Sequence, residues 1–212
     1  MDKGRLVSQG HVDEVLTPEN IRNVYGLHAL VKRHPLTGCI YTLPVSTELA
    51  LERAPGLGRI HVVGGGGSAS YLMRFLHEAG YNVSTGVVNV FDADLEAASL
   101  FGISAVVEAP FSPITPDSYK ENLSLMVECC AVVVSETPFG GGNLLNLEAV
   151  LEAQRKGSIA VVLMNGVSIT ERDYTGGRAT GLFQLLLDNG AGLAANLRVL
   201  EQILARVCPD SP

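Results

Sequence analysis

A chain of 212 residues is long enough for one sizeable domain with an appendage, or for two small domains. Hydrophobic residues make up 47% and charged residues 17%, which supplies a well-filled core and excludes disorder over most of the length. The formal charge of -7 leaves no basic stripe for nucleic acid, no apolar run reaches the ~18 residues that span a bilayer, and the first residues lack the apolar segment of a signal peptide, so the expected location is cytoplasmic.

Residues 1–46 differ in charge from the rest of the chain. They carry five basic residues (Lys3, Arg5, Arg22, Lys32, Arg33) against four acidic ones (Asp2, Asp13, Glu14, Glu19), a net of +1, whereas the other 166 residues carry a net of -8. GRLVSQG is expected to form a short strand ending in a turn. HVDEVL predicts a short helical piece, followed by a helix with Thr17 as N-cap, Pro18 at its first position and Gly26 past its end.

The words GRLVSQGHVDEVLTPENIRNVYGL and VKRHPLTGCIYTLP, in that order and spacing, resemble the C-terminal end of the ATPase subunit of ABC importers of the iron-siderophore, haem and cobalamin group. The resemblance covers about 45 residues. It implies that residues 1–46 are the tail of an ATPase domain and that this sequence is a C-terminal piece of a longer ATPase polypeptide. It further implies membrane subunits of a transporter as partners, a location peripheral to the inner membrane, and a homodimer, since such ATPases work in pairs. The P-loop pattern G-x-x-x-x-G-K-[ST] is absent, so ATP hydrolysis by the ABC mechanism is not expected of these residues themselves.

Residues 47–58 are expected to form a linker with a helical turn and a Pro-Gly stop. From residue 59 the pattern alternates: short β-branched runs at 60–63, 82–90, 105–108, 131–135 and 159–164, with helical stretches near 69–79, 93–101, 117–128, 143–156 and 179–207. Five strands separated by helices predict an α/β domain over 59–212, a doubly wound, Rossmann-like, mostly parallel sheet in the order 3-2-1-4-5, with residues 1–46 as an N-terminal appendage. Leu193, Leu197, Leu200 and Leu204, at helical spacing, serve core packing or a dimer face. Cys39, Cys129, Cys130 and Cys208 have no metal-ligand spacing and are expected to be small buried hydrophobes in a reduced compartment; His61 and His77 are expected to pack.

In such a sheet, ligands bind beyond the carboxyl ends of the strands where the strand order reverses. The first strand runs into Gly64, Gly65, Gly66 and Gly67, then a helix opened by Ser68. Glycines there allow a tight turn and close approach, and a helix N-terminus offers free amides to an anion. Gly64, Gly66 and Ala69 satisfy G-x-G-x-x-[GA], and Asp92 and Asp94 follow the second strand about where a carboxylate would reach a ribose. The same DAD also suits a helix N-cap. After the fourth strand SETPFGGGN supplies Glu136 and Thr137, a second corner at Gly140, Gly141 and Gly142, and Asn143, as cap or ligand contact; Asn146 lies one turn on.

Phe111 in the stiff loop after the third strand would contact a flat ring. Arg172 and Arg178, flanking Gly176 and Gly177, suit either a mobile loop reaching a phosphate or a solvated surface loop. The expected ligand is a nucleotide, of the ATP, ADP, AMP or NAD kind, or another phosphate-bearing small molecule, with no metal, and the domain is expected to be regulatory or accessory. A purely structural glycine turn is the alternative at the first corner. An enzyme using Asp92, Asp94, Glu136 or Glu148 on a nucleotide or corrin-related compound, or a dimerisation domain without a ligand, are the other readings. No serine, cysteine or histidine stands in an activating context that would favour the enzyme.

Overall fold

The computed structural model describes residues 4–33, 37–45, 56–157 and 159–208. Contacts divide the chain into two compact units, Met1–Glu52 and Arg53–Pro212. The expected linker turn falls on residues outside those described, apart from 56–58.

In the first unit, α1 (Val12–Val15) leads into α2 (Pro18–Tyr25). The local sequence dictates α2: the Thr17 hydroxyl accepts the Asn20 amide at 3.1 Å, Pro18 begins the helix, and Gly26 ends it at φ +66°. An antiparallel pair comes next, β1 (His28–Arg33) and β2 (Ile40–Val45), with Lys32 opposite Tyr41. Arg33 reaches the Asp13 carboxylate. The strand expected in GRLVSQG is not there: Arg5 alone in it has a bridge-type assignment, and among the described residues no strand completes a ladder with the segment.

The second unit is an α/β domain. Its elements are β3 (Leu57–Val63), α3 (Ser70–Glu78), β4 (Tyr81–Asn89), α4 (Ala93–Phe101), β5 (Ser104–Glu108), α5 (Pro116–Val127), β6 (Ala131–Val134), α6 (Leu144–Lys156), β7 (Ala160–Met164), α7 (Arg178–Asp188), β8 (Gly192–Ala194) and α8 (Leu197–Val207). All pairings are parallel, in the order β5-β4-β3-β6-β7-β8. The order reverses between β3 and β6, as the alternation predicts.

Successive side chains of each strand enter opposite layers. Ile60, Val62, Ala131, Val133 and Val162 join α3, α4 and α8 on one face. Val63, Val132, Val134, Val161 and Leu163 join α5, α6 and α7 on the other. The strands are buried on both faces, so they carry continuous apolar runs. Each fully buried valine or leucine contributes about 1.5–3 kcal/mol.

Two expectations need correction. The region 179–207 is not one helical stretch: Gly190, at φ +91°, lies just past the end of α7, and residues 192–194 pair with β7 as a sixth strand. Three residues are too few for a periodic signal; pairing with β7 decides them. The cysteines are not all reduced either. Cys130 and Cys208 form a disulfide with 5.5 Å between their Cα atoms, closing a 78-residue span, because the end of α8 returns to the start of β6. Cys129 is buried and free, and burial pushes its thiol up to about 11. Leu200 and Leu204 face the core. Among the described residues, no helix is long and apolar enough to cross a membrane.

Candidate functional site

The two glycine corners stand at the carboxyl ends of β3 and β6, the neighbours at which the strand order reverses. Two contacts tie them together, and both centre on residues that a third holds within the first corner. Ser68 Oγ lies 2.9 Å from Ser135 Oγ, it also donates to the Gly65 carbonyl at 2.9 Å, and Thr137 Oγ1 donates to that same carbonyl at 3.2 Å.

Gly64 is required by packing, since a Cβ there would lie 2.5 Å from the Ala69 Cβ and 2.8 Å from Asp94 Oδ2. Gly66 is required by conformation, with φ +67°. The second corner differs. Gly140, Gly141 and Gly142 have ordinary φ, and a Cβ on any of them would meet no atom within 4 Å. Neither backbone nor packing asks for glycine there.

Between the corners lies an open cleft of about 470 Å³. Of the residues singled out from the sequence, Gly64, Gly65, Gly66, Asp92, Phe111, Gly140, Gly142 and Asn143 line it. Val87, Val88, Asn89, Ser112 and Pro138 also line it and were not foreseen. The end-of-strand position of Asn89 was a usable signal; the others carry none in their local sequence.

The structure gives the first corner a different electrostatic character from the expected one. Asp94 is fully buried, and its carboxylate accepts the amides of Gly65 (2.7 Å) and Ala69 (3.1 and 3.2 Å) and the Ser70 hydroxyl (2.7 Å). Asp92 accepts the amides of Gly66 and Asp94, both at 2.9 Å, and is the N-cap of α4. The protein's own carboxylates therefore occupy the donors that the β3–α3 turn would offer an anion. At the second corner Asn143 folds the turn, accepting the Gly140 amide at 2.8 Å and donating to the Pro138 carbonyl at 2.9 Å. Among the described residues the amides of Gly141 and Gly142 meet no protein acceptor, and they stand at the start of α6.

The remaining candidates face elsewhere. Asn146 is buried and spends its amide on the main chain of β4, accepting from the Val87 amide (2.8 Å) and donating to the Val87 carbonyl (2.9 Å), which shapes the cleft floor from behind. Glu136 accepts the Val167 amide at 2.9 Å. Arg172 is only 3% exposed, and its guanidinium donates to the carbonyls of Ser135, Thr137, Met164 and Val167 and lies over the Phe183 ring. It staples the ends of β6 and β7 and is not free to swing to a ligand; burial lowers its pKa from the usual guanidinium value.

Arg178 pairs with Glu148 at 3.1 Å. Asp173 holds the loop between these arginines by accepting the amides and hydroxyls of Thr175 and Thr180, which pins the segment and disfavours the mobile-loop alternative. Burial pushes the Asp173 carboxyl up, and those four hydrogen bonds outweigh it, leaving it well below the usual range. Gly67, Ser68, Asp94, Thr137 and Gly141 lie beside the cleft lining and outside it. Among the described residues, Asp92 is the one ionisable group in the lining and no cluster of His, Cys, Asp or Glu could hold a metal.

A family model described as the MJ0874 family matches residues 83–204, more than half of the chain and most of the walls of this cleft. The chain belongs to the MJ0874 family. This member is also 37% identical over 111 residues to the cobalamin import ATP-binding protein BtuD of Halobacterium salinarum, in two strains, covering 51% of this chain and 27% of that protein. It is 43% identical over 49 residues to the hemin import ATP-binding protein HmuV of Gloeobacter violaceus, covering 23% of this chain and 18% of that protein. The chain thus spans about a quarter of the length of the cobalamin-import relatives and less of the hemin-import one. No solved structure matches it.

Proposed function

We propose that residues 59–212 form an accessory ligand-binding domain behind the ATPase domain of an ABC importer, and that the cleft takes a nucleotide or a similar phosphate-bearing small molecule. The observation that carries the reading is the run Gly140–Gly142 at a helix start, glycine without a conformational or packing need, of which Gly140 and Gly142 line an open cleft. Close approach of a ligand to the main chain would account for glycine at these positions. A volume of about 470 Å³ falls in the ordinary range for small-molecule sites.

In this reading the phosphate group goes to the Gly142 amide in the cleft wall, with that of Gly141 beside it, since Asp94 fills the other helix start. The Asp92 carboxylate keeps acceptor capacity for sugar hydroxyls. Similarity to import ATP-binding proteins supports a role for such a domain in a transporter, where membrane subunits and a second ATPase copy would be its partners and ligand binding would bias the attached ATPase. These residues themselves supply no ABC-type hydrolysis, lacking the lysine that neutralises phosphate charge.

A thermal-shift panel of ATP, ADP, AMP, NAD, S-adenosylmethionine and cobinamide tests it. A ligand present at about 100 times its dissociation constant adds about 2.7 kcal/mol to stability and raises the melting temperature. A nucleotide shift supports the reading, a shift with cobinamide alone redirects it to a corrin, and no shift across the panel removes it.

A further inference from the structure

Two phenylalanines at the rim have backbone that phenylalanine seldom adopts. Phe91 has φ +74° and Phe111 φ +58°, the left-handed region in which a bulky side chain is strained. Each is third in a four-residue turn, one closed by the Asp92 amide on the Asn89 carbonyl (3.0 Å), the other by the Ser112 amide on the Ala109 carbonyl (3.1 Å). A third position with positive φ favours glycine or asparagine. Neither ring is repaid by packing within the chain, for Phe91 is 78% and Phe111 102% exposed. Strain works against the folded state and an exposed ring returns little burial to offset it, so stability does not account for either residue.

The two turns are also joined. Asn89 Nδ2 donates to the Ala109 carbonyl at 2.7 Å and to the Ser112 carbonyl at 3.4 Å, and the Val90 amide donates to the Glu108 carbonyl at 2.9 Å. Asn89, Phe111 and Ser112 all line the cleft. The side chain that bridges the turns thus sets the position of the Phe111 ring relative to Asp92, which holds the first corner.

We propose that Phe111, supported by the turn carrying Phe91, is a stacking surface for a planar heterocyclic ring, so that the cleft's ligand is a base-bearing nucleotide rather than a sugar phosphate. The assignment rests on the ligand-binding reading above. Its basis is chemical: an unencumbered aromatic face recognises any flat π-system, and the glycines in the same lining let a ring approach the backbone without meeting a Cβ. Purines, with the larger face, bind tighter than pyrimidines.

The test is calorimetry of the 212-residue chain with AMP, CMP and ribose 5-phosphate, with saturation-transfer NMR to find which ligand protons face aromatic protons. The expected result is AMP at least about tenfold tighter than ribose 5-phosphate, transfer onto the base protons, and an F111G variant that loses about tenfold for AMP while its melting temperature holds or rises, because glycine accepts the backbone. F111L, which keeps bulk and lacks a π face, falls between the two.

An F111G protein that binds AMP as the native protein does overturns the stacking surface and leaves the ligand-binding reading standing. So does equal affinity for AMP and ribose 5-phosphate. An F111G protein with a lowered melting temperature and unchanged AMP binding assigns the ring to the fold instead. Absence of binding by all three probes overturns both.

Discussion

The carboxylate of Asp94 accepts the amide of Gly65 at 2.7 Å across 29 residues of sequence, so that the start of α4 plugs the start of α3. The same group satisfies the Ala69 amide and the Ser70 hydroxyl while fully buried. Removing it strands the buried Ala69 amide and two half-buried donors, the Gly65 amide and the Ser70 hydroxyl, at once. Asp94→Ala should cost about 3 kcal/mol in urea unfolding, and Asp94→Asn, which keeps one acceptor, about half of that. A midpoint unmoved by Asp94→Ala would show that the carboxylate is not what holds this corner.

Gly140→Ala and Gly142→Ala should separate binding from folding. With ordinary φ and open space at the Cβ, each should leave stability unchanged or raise it by about 0.5 kcal/mol, while reducing any nucleotide-induced thermal shift. Full retention of that shift in both variants would take the second corner out of the site. Gly66 is a poorer probe, because its φ of +67° makes any side chain strain the turn.

Arg172 holds four carbonyls at the ends of β6 and β7. Arg172→Ala should destabilise the domain by about 3 kcal/mol, and Arg172→Lys by nearly as much, since an ammonium cannot span carbonyls of both strands from one position. Chemical denaturation decides it; a loss of ligand affinity at unchanged stability would instead restore the arginine to the role expected from its sequence.

His61, inside β3, is buried beside Ser84 Oγ at 2.9 Å, and burial lowers its pKa from 6.5 to about 4. The folded state therefore disfavours the proton. Stability from the neutral ring is complete above about pH 6.5 and is lost as pH falls toward 4, by about 3 kcal/mol in all. The carboxylates of Glu108, held at about 2 by the Thr115 hydroxyl and amide, and of Asp173 act below that window. Urea unfolding from pH 7 to pH 4.5 should show the decline, and His61→Gln should flatten it. An equal slope in the variant would assign the decline to other groups.

Reduction of the Cys130–Cys208 disulfide, or Cys208→Ser, should lower stability by about 4 kcal/mol on the loop-entropy account for a 78-residue closure. Calorimetric melting with and without a dithiol reductant measures this. Identical melting curves would mean that the two sulfurs are not joined in solution.

Much of this was legible in local sequence. Thr17 caps a helix where hydroxyl-then-proline announces a start, and Asp92 caps α4 as an acid two residues before a donor amide should. The β-branched runs marked strands buried on both faces, and the alternation with helices implied parallel order and the place where it reverses. These features depend on neighbours within a few positions, which the chain itself supplies.

What local sequence could not decide was which partner each polar group would meet. Arg172 and Asn146 looked available for a ligand, yet a guanidinium and an amide satisfy whatever acceptors folding brings close, and here those are carbonyls of β6, β7 and β4. Asp94 and Gly65 have no relation along the chain until β3 and β4 lie side by side. The sixth strand, the disulfide and the open or filled state of each glycine corner are long-range outcomes, set by packing the layers, whereas the other five strands of the sheet and their order were written in their own residues.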